Sequence, residues 1–199
     1  MTGPMEVERK RRLPDDGATL TAVLTGLGWV AAEPVTEVDM YYSRPDVDYL
    51  ETVECLRVRR RADFAEVTYK PPSTVETRSA TGVVSKQETN VQLADGEQAA
   101  SADRLLRCIG MRRLVRVDKV RTAYRHPLCP EVTVSIDELA GLGTFVETEV
   151  MGGDVTSAAA TVERIEKELG VLGLPTIDLP YRDLALHAAP TPDMDDSAW

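Results

Sequence analysis

The chain has 199 residues, of which 43% are hydrophobic and 28% charged, proportions that suit one globular domain with its own core. A formal net charge of −10 argues against nucleic acid or a membrane surface as the principal partner. No apolar run approaches the roughly 20 residues of a bilayer-spanning helix, and the first residues carry no basic-then-apolar leader, so a cytoplasmic protein is expected.

In chain order, residues 5–12 read as a strand, and Pro14-Asp15-Asp16-Gly17 supplies a turn and a helix cap. Leu20, Val23, Leu24 and Leu27 recur at helical spacing, with Gly28 as the stop. Strands are expected over 35–43, 55–61 and 64–70, the last two close enough to form a hairpin. The breaker-rich stretch 71–82 reads as a loop placed to act as a lid, and 83–93 as one further strand. Ser101 or Asp103 can start a second helix ending at Gly110. Strands over 114–124, 132–138 and 145–151 follow, then a helix over 155–169. The count of about eight strands and three helices, with hairpin-length links, favours an antiparallel α+β fold over a doubly wound sheet. One domain over 1–187 and a mobile tail over 188–199 are expected. With His126 and His187 the only histidines, a His-rich metal site is excluded and a His-based triad is not expected. Cys55, Cys108 and Cys129 have no metal-type spacing and read as reduced, ordinary thiols.

Side chains alternate between the two faces of a strand. Glu6, Glu8 and Lys10 therefore share a face, as do Arg57 with Arg59, Thr68 with Lys70, Lys119 with Arg121, and Glu147 with Glu149. Asp137 joins Thr133 and Ser135 on one face, opposite Val132, Val134 and Ile136. For any one strand the plainer reading is a solvated face, because half-exposed antiparallel sheets commonly alternate this way. Taken together, however, the charges are sorted: acidic pairs on two strands and basic pairs on two others. If the strands close with helices outside, Glu6, Glu8, Glu88, Asp137, Glu147 and Glu149 face one lumen with Lys10, Arg57, Arg59, Lys70, Lys86, Lys119 and Arg121. Carboxylates suit Mg²⁺ or Mn²⁺, and guanidinium and ammonium groups suit phosphate oxygens.

Glu6-Val7-Glu8-Arg9-Lys10 matches the E-x-E-x-K signature of the CYTH superfamily of triphosphate tunnel metalloenzymes. Later segments resemble that family in the same order: Val38-Asp39-Met40-Tyr41-Tyr42, Glu54-Cys55-Leu56-Arg57-Val58-Arg59, Thr68-Tyr69-Lys70, Asp118-Lys119-Val120-Arg121, Ser135-Ile136-Asp137-Glu138-Leu139 and the run 141–149. The stretch 39–59 is most similar to class IV adenylyl cyclases, with thiamine triphosphatase-like members the neighbouring branch. The resemblance implies a closed eight-stranded antiparallel β-barrel with helices packed outside, binding a triphosphate with Mg²⁺ or Mn²⁺. It implies that Glu6, Glu8, Asp137, Glu147 and Glu149 serve the metal with Glu88 assisting, and that Lys10, Arg57, Arg59, Lys70, Lys86, Lys119 and Arg121 hold the phosphates. Glu6, Glu8, Lys10, Lys70 and Arg121 are the catalytic set it implies. Where the family often has R-x-E-x-E, this chain has Lys86-Gln87-Glu88-Thr89-Asn90, and Asn90 brings no charge to a second metal. The C-terminal basic residue that the triphosphatase branch uses has no clear counterpart here, although Arg182 is nearby. Tyr181-Arg182-Asp183 is the segment placed to close one tunnel mouth.

Two reactions fit such a site. A cyclase would convert ATP to cyclic AMP and pyrophosphate. A triphosphatase would hydrolyse inorganic triphosphate, thiamine triphosphate or a nucleoside triphosphate. The branch resemblance puts the cyclase slightly ahead. A non-catalytic module binding polyphosphate or nucleotide would keep the basic set and could lose the carboxylates, which this chain retains. A small-molecule triphosphate is thus the expected partner, and a homodimer is compatible with a soluble protein of this size.

Overall fold

The computed structural model describes residues 5–72, 84–152 and 154–188. Most of the expected lid loop, from residue 73 on, and the tail from residue 189 lie outside the described residues. The elements are β1 (Met5–Arg12), α1 (Ala18–Gly26), β2 (Val30–Ala31), β3 (Val35–Ser43), β4 (Cys55–Arg60), β5 (Ala65–Lys70), β6 (Val84–Lys86), β7 (Thr89–Leu93), α2 (Gln98–Cys108), β8 (Arg112–His126), β9 (Cys129–Leu139), β10 (Gly143–Gly152), α3 (Val155–Glu168) and α4 (Tyr181–Ala188). Every pairing with a described register is antiparallel, as the α+β reading requires. No helix among the described residues is long and apolar enough to cross a membrane.

The chain divides into two units. The first comprises Met1–Pro34, Thr74–Gln87 and Val120–Asp178. Its strands run in the order β6-β1-β10-β9-β8, with β2 also paired to β8. Val7, Val132, Val134, Ile136, Val146 and Val150 turn to one face of this sheet and pack against Leu20 and Leu24 of α1 and Val162 and Ile165 of α3. Residue 17 must be glycine-like for α1 to start where it does: its φ is +88°, and a Cβ there would lie 2.9 Å from Ile136. Asp15 and Asp16 then accept from the Gly17 and Ala18 amides, satisfying the helix entry that the Pro14–Gly17 turn predicts. Helix α3 is entered through Asp154, whose carboxylate accepts from the Ser157 amide at 2.9 Å.

The same helix-facing side of β1 also carries two arginines, in phase with Val7. Arg9 and Arg11 are 4% and 5% exposed and both send their Nε donors to Glu166 Oε2 of α3, at 2.8 and 2.9 Å. Arg11 additionally donates to the Leu174 carbonyl and to Thr176 Oγ1. A carboxylate placed between two guanidiniums makes this burial affordable; without it two like charges would sit against an apolar helix face.

The second unit comprises Val35–Ser73, Glu88–Lys119 and Leu179–Trp199. Its strand order is β8-β3-β4-β5-β7. Met40, Tyr42, Val58 and Ala65 form a smaller core with Ala99, joined by Leu106 and Met111. Helix α2 begins at Gln98, before either expected start, because Asp95 accepts from the Gln98 amide while Gln98 Oε1 accepts from the Ala94 amide. Asp103, proposed as a cap, is instead a buried mid-helix residue that takes the Tyr42 hydroxyl and both donors of the Arg113 fork.

The strand expected over 83–93 is two strands. Residues 84–86 pair with β1 and residues 89–93 with β5, so Gln87-Glu88 carries the chain from one partner to another. That split and the two-residue β2 account for ten strands among the described residues where about eight were expected. Helix α4 has no antecedent in the sequence reading. At its start Arg182, 1% exposed, donates to the carbonyls of Glu54 and Tyr49 and to Asp183. Tyr181-Arg182-Asp183 is thus a buried anchor for the loop before β4, a role that depends on contacts over 100 residues away in sequence.

Replacing Glu166 by alanine leaves Arg9 and Arg11 buried without their acid. We expect it to lower the unfolding free energy by about 3–5 kcal/mol, measured by urea denaturation. Glu163→Ala, on the exposed side of the same helix, should change it by less than about 0.5 kcal/mol.

Candidate functional site

In the first unit the register of β1, β10 and β9 decides which charges meet. Glu8 stands directly opposite Glu149 and Lys10 opposite Glu147. Glu149 and Glu147 stand in turn opposite Thr133 and Ser135, and Asp137 opposite Phe145, so all share the face turned away from α1 and α3. Glu6 is paired with Lys86 across β1 and β6; the side chain of Lys86 lies outside the described residues. Arg121 gathers the group. Its Nε and Nη2 meet Asp137 Oδ1 and Oδ2 at 2.6 and 2.5 Å, and Nη2 also reaches Glu147 Oε1 at 2.8 Å. Lys10 Nζ lies 3.8 Å from Glu147 Oε2. Lys10, Arg121, Asp137 and Glu147, which the sequence reading placed on one lumen, are thus in mutual contact within this unit.

These groups are not a solvated face. Asp137 is fully buried, and Lys10 and Glu147 are 8% and 7% exposed. In the second unit Arg59 and Lys119 are 5% and 3% exposed. Burial on this scale needs counter-charges or a ligand.

The second unit meets that need with carboxylates that the sequence reading left out of the site. Register places Asp39 opposite Arg59 and Tyr41 opposite Arg57. Arg59 holds Asp39 in a two-point fork, Nε–Oδ1 at 2.6 Å and Nη2–Oδ2 at 2.7 Å, and its Nη1 reaches Glu37 Oε2 at 3.1 Å. Glu37, fully buried, also meets Lys119 Nζ at 3.0 Å and pairs with Arg61. Burial alone would raise the Asp39 carboxyl, but the charge and hydrogen bonds of Arg59, with the charges of Arg57 and Lys119, hold it far below the usual carboxylate range. Burial, reinforced by Asp39, pushes the neighbouring Tyr41 phenol up. One signal for this pair was present: Glu37, Asp39 and Tyr41 alternate along β3 in phase with the arginines of β4.

Arg57 and Lys70 have a different surrounding. Both approach Glu88, Arg57 Nη2 to Oε1 at 3.6 Å and Lys70 Nζ to Oε2 at 3.0 Å. Arg57 Nε is buried and has no hydrogen-bond partner among the described residues. A guanidinium with an idle buried donor is suited to take a further oxygen, whereas Arg59 already spends all three nitrogens on carboxylates. Asn90 lies on the neighbouring strand, and its Oδ1 accepts from Thr68 Oγ1 at 2.8 Å. Tyr69 donates to Glu54 Oε1, and that bond, with burial, pushes its phenol up to about 12.

For a divalent metal, the first unit offers Glu6, Glu8, Asp137, Glu147 and Glu149. Among the described residues no three acidic, histidine or cysteine side chains gather into a ready-made cage. Glu8 and Glu149 face one another, a placement in which like charges repel and a cation between them is favoured. Such a set fits Mg²⁺, which is commonly held by one or two carboxylates together with the phosphates of a substrate. Glu88 is in contact with Arg57 and Lys70 in the second unit.

The CYTH domain model matches residues 4–180. A protein of Methanocaldococcus jannaschii, named as a candidate adenylate cyclase, is 28% identical over 170 residues, which cover 85% of this chain and 90% of that protein. Among solved structures, the PH1819 protein of Pyrococcus horikoshii matches with a TM-score of 0.75 at 26% identity, over 92% of this chain and 98% of that one. A candidate adenylyl cyclase of Hippeastrum, described as having a dominant triphosphatase activity, shares the fold with a TM-score of 0.62 at 16% identity, over 88% and 90% of the two chains.

Two outcomes follow from the contrast between neighbouring arginines. Arg59→Ala strands the buried Glu37 and Asp39 and should cost about 3–5 kcal/mol in urea denaturation, while Arg57→Ala should cost less than half of that. Acid should act through the same fork. The folded chain keeps Asp39 ionised, whereas the unfolded chain takes up a proton near pH 3.9, about the unperturbed value. The pair therefore stabilises the fold above that pH, and its contribution is lost as pH falls below it. Stability of Asp39→Asn, measured in urea between about pH 5 and 2.5, should fall less steeply than that of the unmodified protein.

Proposed function

Because this chain belongs to the CYTH domain family, we propose that it is a divalent-metal-dependent enzyme acting on a small-molecule triphosphate, converting ATP to cyclic AMP and pyrophosphate. The observation that carries this reading is the sorting of buried charge. One unit presents carboxylates with Lys10 and Arg121, and the other presents Arg57 with an unspent buried donor beside Lys70. The candidate-cyclase name of the archaeal relative supports the choice of reaction.

In this reading Glu6, Glu8, Asp137, Glu147 and Glu149 hold the metal, and Lys10, Arg57, Lys70, Lys86 and Arg121 hold phosphate oxygens. Arg59 and Lys119 act at one remove, set by Glu37 and Asp39. Bound Mg²⁺ or Mn²⁺ would neutralise charge on the phosphates as the transition state forms. The chain itself needs no covalent nucleophile. Its contribution is to orient the triphosphate between fixed cations and so align the α-phosphorus with the ribose 3′-hydroxyl. The closed eight-stranded tunnel that the resemblance implies goes with this proposal.

The competing reaction is hydrolysis of a triphosphate by water. The triphosphatase branch uses a basic residue near the C-terminus, and Arg182, the nearest here, spends its donors on two carbonyls and Asp183. That commitment favours the cyclase.

The deciding assay incubates the protein with Mg²⁺ or Mn²⁺ and, separately, ATP, inorganic triphosphate and thiamine triphosphate, and resolves the products. Cyclic AMP with pyrophosphate is expected, falling by about 100-fold or more in Glu6→Gln and in Arg57→Ala if each supplies a few kcal/mol of transition-state stabilisation. Orthophosphate without a cyclic product would reassign the chain as a triphosphatase. Binding of triphosphate without turnover would make it a binding module.

A further inference from the structure

The resemblance gives Glu88 to the metal, but its contacts are with the phosphate-binding cations. The register of β4 and β5 places Arg57 opposite Thr68 and Cys55 opposite Lys70, so Arg57 and Lys70 are diagonal neighbours on one face. Glu88 lies just before β7, where Thr89 is opposite Tyr69. From there its carboxylate spans both cations, at 3.6 Å from Arg57 and 3.0 Å from Lys70. All three side chains are largely buried, with exposures of 14%, 18% and 13% for Arg57, Lys70 and Glu88.

Two features separate this contact from the ion pairs of Asp39 and Glu37. The first is fit. Asp39 meets Arg59 through two short parallel bonds, whereas Glu88 touches Arg57 through one nitrogen at 3.6 Å and leaves the buried Nε without a partner. The second is the backbone beneath it. Asp39 and Glu37 are fixed in the long ladder of β3, while Glu88 sits in the two-residue step between β6 and β7, outside either ladder. A carboxylate on such a step can withdraw from its partners with little disturbance to the strands around it.

We infer that Glu88 is an internal competitor of the triphosphate: it occupies Arg57 and Lys70 with a single carboxylate, and an incoming polyphosphate takes both cations over. The inference rests on the proposal that the chain binds a triphosphate. A polyphosphate brings several negative oxygens to a guanidinium and an ammonium that Glu88 spans, and it can use the Nε donor that Glu88 leaves idle. The apparent affinity is then the intrinsic affinity reduced by the fraction of molecules in which Glu88 has let go. The device discriminates by charge, since a monoanion gains little over the carboxylate it must displace.

The test is calorimetric titration of inorganic triphosphate into the full chain in EDTA and again in Mg²⁺, comparing the unmodified protein with Glu88→Gln. Glutamine keeps the shape and removes the charge. Kd in EDTA should fall about 5–10-fold in Glu88→Gln, as expected when the competent fraction rises from a tenth or a fifth toward one. The gain should shrink in Arg57→Ala/Glu88→Gln relative to Arg57→Ala alone, since only the contest for Lys70 is then left. An unchanged Kd in EDTA, or a loss of affinity seen only with Mg²⁺, would overturn the inference and return Glu88 to the metal, leaving the proposed function standing. If neither protein binds triphosphate with or without Mg²⁺, the inference and the function both fail. Should Glu88→Gln not fold, Glu88→Asp draws the carboxylate back from Arg57 and should tighten triphosphate in EDTA by a smaller factor.

Discussion

Buried charge must be matched where it lies, and that constraint organises both units of this chain. Each strand face that carries ionised groups away from water carries the opposite sign on the next strand or the covering helix. Arg59 is matched by Asp39 and Glu37, Arg121 by Asp137 and Glu147, and Arg9 with Arg11 by Glu166. The strand registers follow from these matches as much as from apolar packing. A slip of one residue between β3 and β4 would carry Arg57 and Arg59 to the side occupied by Met40 and Tyr42 and lose both core and ion pairs at once.

The matches also rank the basic residues. Arg59 and Lys119 lie against carboxylates that have no other role visible in the fold, so their charge is spent on holding the sheet and fixing its electrostatic field. Glu88 spans Arg57 and Lys70 loosely, and the buried Arg57 Nε has no hydrogen-bond partner among the described residues. Residues of one type, two apart on one strand, thus differ in what they have left to offer. Sequence gives no access to that difference, because it lies in the number of carboxylates within reach.

The strands themselves were largely legible. Period-two alternation located β1, β3, β4, β5, β8, β9 and β10, and the helix expected over 155–169 is α3. The reading failed where local pattern does not carry the cause. Residues 83–93 alternate well enough for one strand, yet two partners divide them. Strand parity puts Arg9 and Arg11 on the core side with Val7, but nothing local shows that Glu166, over 150 residues later, is there to receive them. Asp103 resembles a cap by residue type but is drawn to Tyr42 and Arg113. That Lys10, Arg121, Asp137 and Glu147 lie on one strand face was readable because family order and strand parity agreed. Glu37 and Asp39 were missed because acidic residues among presumed phosphate ligands look out of place until the guanidinium they restrain is identified.

Arg182 ties α4 to the carbonyls of Tyr49 and Glu54, contacts that close loops of 133 and 128 residues. Its effect is felt during synthesis. At about 5–20 residues per second, a ribosome has most of the chain made well before Arg182 emerges, and until then the turn leading into β4 lacks the side chain that satisfies its carbonyls. The second unit is therefore completed late, by a residue translated more than a hundred positions after the loop it secures. A nascent chain held before that point would present β4, and with it the arginines of the candidate site, on an unfastened loop.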